Sequence, residues 1–212
     1  AFALQWLFGG TESSPVLARM GALMPERVAQ GEWWRLLASS FLHAGPLHFG
    51  LNLWVLLMVG GSLERILGGA RMLAIYGLSA LGASLASLAF SDASLTVGAS
   101  GGIWGLLAAE AVLVWRPRGL LPEAVQQSAR QNVVVNVAIN VANSLRPNVA
   151  MAAHFGGGAV GALLLAGGFL LRGLPSLAQV QSGEPTRASD PRWLRPLAFA
   201  NVALLLASLG AG

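Results

Sequence analysis

Long apolar runs separated by short polar connectors set the pattern of this chain. Residues 46–67, 71–90, 98–115 and 151–171 are each long and apolar enough to cross a hydrocarbon core of about 30 Å as a helix. Residues 131–145 form a shorter, more polar span carrying Asn132, Asn136, Asn140 and Asn143, and residues 196–209 a last apolar helix. Residues 1–9 read as the end of a further membrane helix whose larger part lies outside the sequence. Residues 11–45 make a long connection with charges of both signs (Glu12, Arg19, Glu26, Arg27, Glu32, Arg35), aromatic near its end at Trp33, Trp34 and Phe41. Tryptophans there suit a segment lying at the membrane–water interface. The pattern predicts an all-α polytopic membrane protein.

Composition agrees: 55% of residues are hydrophobic and 10% charged, against about 25% charged in soluble domains. The net charge of +4 does not point to nucleic acid, because all 13 basic residues are arginines placed between apolar runs. Their placement sorts the connectors. Arg65, Arg71, Arg116, Arg118, Arg130, Arg172, Arg187, Arg192 and Arg195 fall on one side, and Arg19, Arg27, Arg35 and Arg146 on the other. The richer side is expected to be cytoplasmic, which turns the 11–45 loop, Ser100 and His154 toward the outer face. The lysine-free, Ala-, Gly- and Arg-rich composition suggests GC-rich bacterial coding, hence a multi-pass protein of a bacterial cytoplasmic membrane. With no cysteine, disulfides, thiolate nucleophiles and Cys-based metal sites are excluded.

The segment Gly98-Ala99-Ser100-Gly101-Gly102 opens the third full span. By itself it is either a packing device or a nucleophile. The histidines decide: there are three, His43, His48 and His154, and none lies in a cytoplasmic connector. His48 and Asn52 share one helix face at i, i+4 spacing. Ser100 and His154 both open spans that start from the outer side, so they reach the same depth. Polar groups in a bilayer are costly unless paired. A serine needs a base, and His154 can take its proton and later protonate the leaving amine. His48, the Asn52 amide and the Ser100 backbone N–H can hold an oxyanion. No third member is visible to orient the base, although Trp104, one turn after Ser100, can stack on the imidazole. Glu110 lies roughly 15 Å deeper at helical rise, and its expected partner is an asparagine of the 131–145 span. Asn132, Asn136 and Asn140 share a face and are expected to hydrogen-bond across helices.

Other chemistries fail on residue counts. The literal Gly-x-Ser-x-Gly match lacks the strand, the α/β sheet and the acid a hydrolase elbow needs. There is no lysine for a Ser–Lys dyad and no His-Glu-x-x-His motif. The only aspartates, Asp92 and Asp190, lie in connectors. No metal site and no cofactor are expected.

These residues resemble the rhomboid family of intramembrane serine proteases. Trp34-Arg35 resembles its first-loop signature, and His43 with His48-Phe-Gly-Leu-Asn52 its paired-histidine and His-x-x-x-Asn motif. Glu64 with Gly68 or Gly69 resembles its second-helix end, Gly98-Ala99-Ser100-Gly101 its Gly-x-Ser-Gly, and Ala153-His154-Phe-Gly-Gly157-x-x-x-Gly161 its His-then-glycine helix. The resemblance implies Ser100 as nucleophile, His154 as general base, and His48 and Asn52 as oxyanion ligands. It implies close packing at Gly101, Gly105, Gly157 and Gly161, with Gly98 a supporting residue of the serine motif. Arg35 and Glu64 would hold the outer loop and a helix end, and His43 a structural hydrogen bond. It further implies a six-helix core plus one C-terminal helix. Residues 1–171 would be the catalytic core (1–9 the end of its first helix, 11–45 the outer loop, 46–171 the remaining helices), 172–195 a cytoplasmic linker and 196–212 the added transmembrane helix. Single-pass transmembrane proteins in the lipid bilayer would be the substrates, cut within or near the membrane and admitted past the asparagine-bearing span. A pseudoprotease that binds membrane proteins without cutting is the alternative; its signature, loss of the nucleophile or base, is absent. A transporter would call for internal repeats, and none is found.

Overall fold

A chain in lipid must satisfy its backbone hydrogen bonds internally, and helices do this within one segment. In the computed structural model, which describes residues 1–116, 123–145, 149–174, 191 and 194–210, the chain is helical accordingly. Short helices come first: α1 (Phe2–Leu7), α2 (Ser14–Met20), α3 (Pro25–Ala29) and α4 (Arg35–Ala38). A rod follows, α5 (Pro46–Val55), a π-helical turn (Leu56–Gly60) and α6 (Gly61–Leu67). Then come α7 (Gly69–Phe90), α8 (Ser100–Trp115), α9 (Glu123–Ser144), α10 (Met151–Ala166) and α11 (Leu194–Gly210). Among the described residues there is no strand, only an isolated antiparallel bridge between Leu23 and Thr96. Pro46–Leu67 and Gly69–Phe90 are long and apolar enough to cross a membrane; Ser100–Trp115 and Met151–Ala166 are shorter apolar helices.

The centre is a three-helix contact of α7, α8 and α10. In lipid, apolar surface gains little by leaving one hydrocarbon environment for another, so helices are held by close approach at small residues. A Cβ on Gly157 would enter the carbonyl of Gly101, and one on Gly161 the backbone of Gly105. The matched offsets, 101 with 157 and 105 with 161, make α8 and α10 parallel. A Cβ on Gly101 would meet Ala83, and one on Gly105 would meet Ser79, so α7 runs antiparallel to both. The periphery is apolar: Leu47, Trp54, Leu57, Phe90 and Leu163 are exposed. Among the buried residues are polar Ser79, Ser84, Ser87, Asn52 and His154. Apolar outside and polar within is the distribution a lipid solvent selects.

Arginines close the end opposite Ser100. Arg71, 1% exposed, donates to the carbonyls of Leu170 at 2.8 Å, Arg172 at 2.9 Å and Leu67 at 3.1 Å. Arg116 donates to Leu165 O at 2.6 Å and Arg130 to Val114 O at 2.8 Å. These carbonyls lie at or just beyond helix C-termini, where orphan acceptors and the negative end of the dipole favour cations. Arg118, Arg146, Arg187 and Arg192 and most of the 172–195 linker, Asp190 included, lie outside the described residues.

Three expectations are corrected. The polar stretch before residue 131 is not a plain connector: α9 begins at Glu123, and Gln126 and Arg130 use that extra length to bond the Val114 carbonyl. Glu110 has the Ser62 side chain, at the start of α6, beside its carboxyl, and among the described residues no asparagine bonds it. The asparagine amides bond along their own helix: Asn136 donates to Asn132 O at 3.0 Å and Asn140 to Asn136 O at 2.8 Å. Asn132 is exposed and Asn136 half-buried, and bonding back by four residues satisfies the amide without a neighbour.

Candidate active site

The 11–45 loop is fastened over the mouth of the helices. Arg35, 4% exposed, donates to Glu32 at 2.6 Å, Ala18 O at 2.7 Å and Ala22 O at 3.0 Å, and stacks on Trp34. The Arg35 hydrogen bond holds the Glu32 carboxyl below its ordinary range. Ser84 donates to Leu36 O at 2.7 Å, and the Gly98 N–H to Ser39 O at 3.0 Å. The last bond ties the loop to the residue two before Ser100.

Ser100 is the first residue of α8 and His154 the fourth of α10. Because these helices are parallel and nearly in backbone contact, both side chains meet at one end. His154 Nε2 lies 2.8 Å from Ser100 Oγ. His154 Nδ1 lies 2.6 Å from Ser144 Oγ, in the last residue of α9. Trp104 stacks on the imidazole with ring centroids 5.7 Å apart and planes at 22°, and His154 is 7% exposed. The ring is thus held on both nitrogens and one face.

His48 stands across the mouth. The Ala44 N–H donates to its Nδ1 at 3.3 Å, so the proton of the neutral ring belongs on Nε2. Gly98 has φ +131, a conformation L side chains rarely adopt. A Cβ there would sit 2.9 Å from His48 Cε1, 3.0 Å from His48 Nε2 and 3.7 Å from Ser100 Oγ. The Nε2 edge of His48 and the Ser100 hydroxyl therefore border one small space, kept open by the missing side chain. Asn52 is 8% exposed, and its amide donates to His48 O at 2.8 Å. It lines a cavity of about 690 Å³ with His43, Tyr76 and Ala99. Glu64 borders the far end of that cavity, exposed and away from Ser100 in the fold.

His43 corrects an expectation. Its backbone, not its ring, makes the structural hydrogen bonds: Gln5 Nε2 donates to His43 O at 2.9 Å, and the His43 N–H donates to Gln5 Oε1 at 3.2 Å. Both ring nitrogens are buried without a full hydrogen bond, and the ring packs on Phe49 and His48. Burial first, then the neighbouring His48, lowers its pKa from 6.5 to about 4. Between those values the unfolded chain binds the proton and the folded chain does not, so stability rises with pH. The contribution is complete above about pH 6.5 and is lost as pH falls toward about 4, up to about 3 kcal/mol. Thermal unfolding in detergent is expected to show this acid-side loss, and His43→Phe to lessen it. An equally steep loss in His43→Phe would contradict the assignment.

Sequence reasoning missed Gln5 and Ser144. Ser144 had a signal: it follows Asn140 by four residues and continues the 132, 136, 140 stripe. Gln5, in a short apolar stub, had none.

Fold and site define an all-α membrane protein with a serine–histidine pair at one end of its helices. Residues 30–171 match the Rhomboid domain family. RHOMBOID-like protein 4 of Arabidopsis thaliana is 36% identical over 168 residues, covering 75% of this chain and 39% of its own length. Rhomboid protease GluP of Bacillus subtilis is 33% identical over 156 residues, 74% of this chain and 30% of its own. Rhomboid protease AarA of Providencia stuartii is 32% identical over 177 residues, 72% of this chain and 61% of its own. The chain thus spans from under a third to about three fifths of these relatives. It belongs to the rhomboid family, integral membrane proteins that include intramembrane serine proteases.

Proposed function

We propose that this protein is a serine endopeptidase that cuts single-pass membrane proteins within or beside the bilayer. The observation that carries the reading is the 2.8 Å approach of His154 Nε2 to Ser100 Oγ, between helices that pack without side chains at the contact. Ser100 attacks the scissile carbonyl while His154 Nε2 takes its proton. The developing oxyanion is met by the His48 Nε2–H, the Asn52 amide and the Ser100 backbone N–H at the α8 N-terminus. The carbonyl–nitrogen bond then breaks as His154 returns the proton to the amine, and water repeats the sequence to release the acyl group.

Gly98 keeps the oxyanion space open, and Gly101, Gly157 and Gly161 set the helix distance that puts the base in reach. Trp104 orients His154, Arg35 holds the loop, and Glu64 holds the far helix end. Residues 1–171 act as the core, 196–212 add one helix, and six core spans are counted with the stub at 1–9. The arginine distribution supports an outward-facing site in a bacterial cytoplasmic membrane. The chemistry needs no metal and no cofactor.

Purified protein in liposomes is expected to cleave a single-pass model substrate with small residues in a helix-breaking segment, and Ser100→Ala to leave it intact. Wild-type protein that binds the substrate without cutting it would make this a pseudoprotease, and cleavage by Ser100→Ala would sink the nucleophile assignment.

A further inference from the structure

We propose that Ser144 is the positioning residue for His154: its hydroxyl fixes the imidazole as the Nδ1–H tautomer and so leaves Nε2 free to take the Ser100 proton. This rests on the Ser100–His154 reading above and supplies the orienting member that the sequence left unseen.

The tautomer follows from a count of protons. Ser144 is 2% exposed. Its Oγ lies 2.7 Å from the Asn140 carbonyl and 2.6 Å from His154 Nδ1. A carbonyl only accepts, and a serine carries one hydroxyl proton. Both contacts are hydrogen bonds at once only when that proton goes to Asn140 O and Ser144 turns a lone pair toward the imidazole. Nδ1 must then be the donor, and Nε2 of the neutral ring the acceptor, 2.8 Å from Ser100 Oγ. The relay runs from Ser100 O–H to Nε2, from Nδ1–H to Ser144 Oγ, and from Ser144 O–H to Asn140 O. Each donor meets one acceptor.

The opposite tautomer breaks this chain twice. Its Nδ1 lone pair would draw the Ser144 proton away from the Asn140 carbonyl, and its Nε2–H would donate to Ser100 instead of receiving from it. Which ring nitrogen of a histidine carries the proton is set by the bond the other one makes. His48 illustrates the converse: the Ala44 N–H on its Nδ1 leaves its Nε2 as donor. The site thus holds two histidines in opposite tautomers, one to give a hydrogen bond and one to take a proton. When His154 accepts the Ser100 proton, Nδ1–H remains bonded to Ser144. A neutral hydroxyl stands where a soluble triad has a carboxylate, without burying an unpaired charge in lipid.

The experiment reads the tautomer directly. Protein labelled with nitrogen-15 at histidine contains only three such rings, assigned by single replacement. In the wild type at about pH 8, His154 is expected to be protonated at Nδ1 and bare at Nε2. Ser144→Ala is expected to move population to Nε2–H and to lower kcat for the model substrate about tenfold with KM unchanged, the cost of one orienting hydrogen bond. Ser144→Thr, which keeps the hydroxyl, is expected to stay within about threefold of wild type and to keep the tautomer. Wild-type His154 carrying its proton on Nε2 would overturn the proposal. So would Ser144→Ala with wild-type kcat, or with lowered kcat and an unchanged tautomer, which marks a merely structural loss. Should Ser144→Ala fail to fold, the wild-type tautomer and Ser144→Thr still decide. Wild-type protein that never cleaves would defeat the protease reading, and the tautomer would test Ser144 regardless.

Discussion

His154→Ala is expected to lower kcat by about 10³-fold or more, with KM little changed. A serine hydroxyl at neutral pH is a poor nucleophile, and a positioned base contributes about 10²–10⁴. In the proposed reaction His154 is used twice, first removing the Ser100 proton and then protonating the amine, so its loss would strike both halves of the acyl transfer. At about 1.36 kcal/mol per decade, the expected loss is about 4 kcal/mol of transition-state stabilisation. No replacement base is at hand. The other two histidines, His43 and His48, lie across the mouth, one with an unpartnered buried ring and the other with its Nδ1 occupied. The fold should survive, because α10 packs through Gly157 and Gly161 rather than through His154. Turnover measured at saturating substrate, beside an unchanged melting curve, checks this.

Gly98→Ala is expected to lower kcat about 10²–10³-fold, the scale of losing an oxyanion donor. Two effects coincide at this position. The backbone at φ +131 strains any side chain, and relaxing it would shift Ser100, two residues on. Even without relaxation the new methyl would lie 3.0 Å from His48 Nε2 and 3.7 Å from Ser100 Oγ, filling the space where an oxyanion would form. Labelling of Ser100 by a small fluorophosphonate should slow in parallel with peptide cleavage, since the phosphoryl oxygen of the one and the carbonyl oxygen of the other both gain negative charge in that space. Cleavage at wild-type rate would contradict this reading of the gap between His48 and Ser100.

The alternation of apolar runs made the helices legible, because a bilayer admits few other backbone arrangements. The meeting of Ser100 with His154 was legible in part: both open helices from the same end, and Gly101, Gly105, Gly157 and Gly161 mark the faces in contact. What stayed hidden depends on rotation and on side-chain reach. The Asn132–Asn136–Asn140 stripe looked like an interhelical seam. Amides, however, bond equally well to their own helix, and Ser144, at the end of the stripe, is the member that meets another helix, at His154. Glu110 lies beside Ser62 because the rod of α5 and α6 packs its π-helical turn against α8, a matter of packing that no spacing rule encodes. The first turns of α9 read as a connector because their polar residues serve the end of α8, where Gln126 and Arg130 satisfy the Val114 carbonyl.

The central claim is that Ser100 is a nucleophile made reactive by His154. Mass-spectrometric mapping of a fluorophosphonate adduct on the protein in lipid tests it most directly. The account predicts one adduct, on Ser100, in the wild type and none in His154→Ala. An adduct on another serine, or undiminished labelling of Ser100 in His154→Ala, would contradict it.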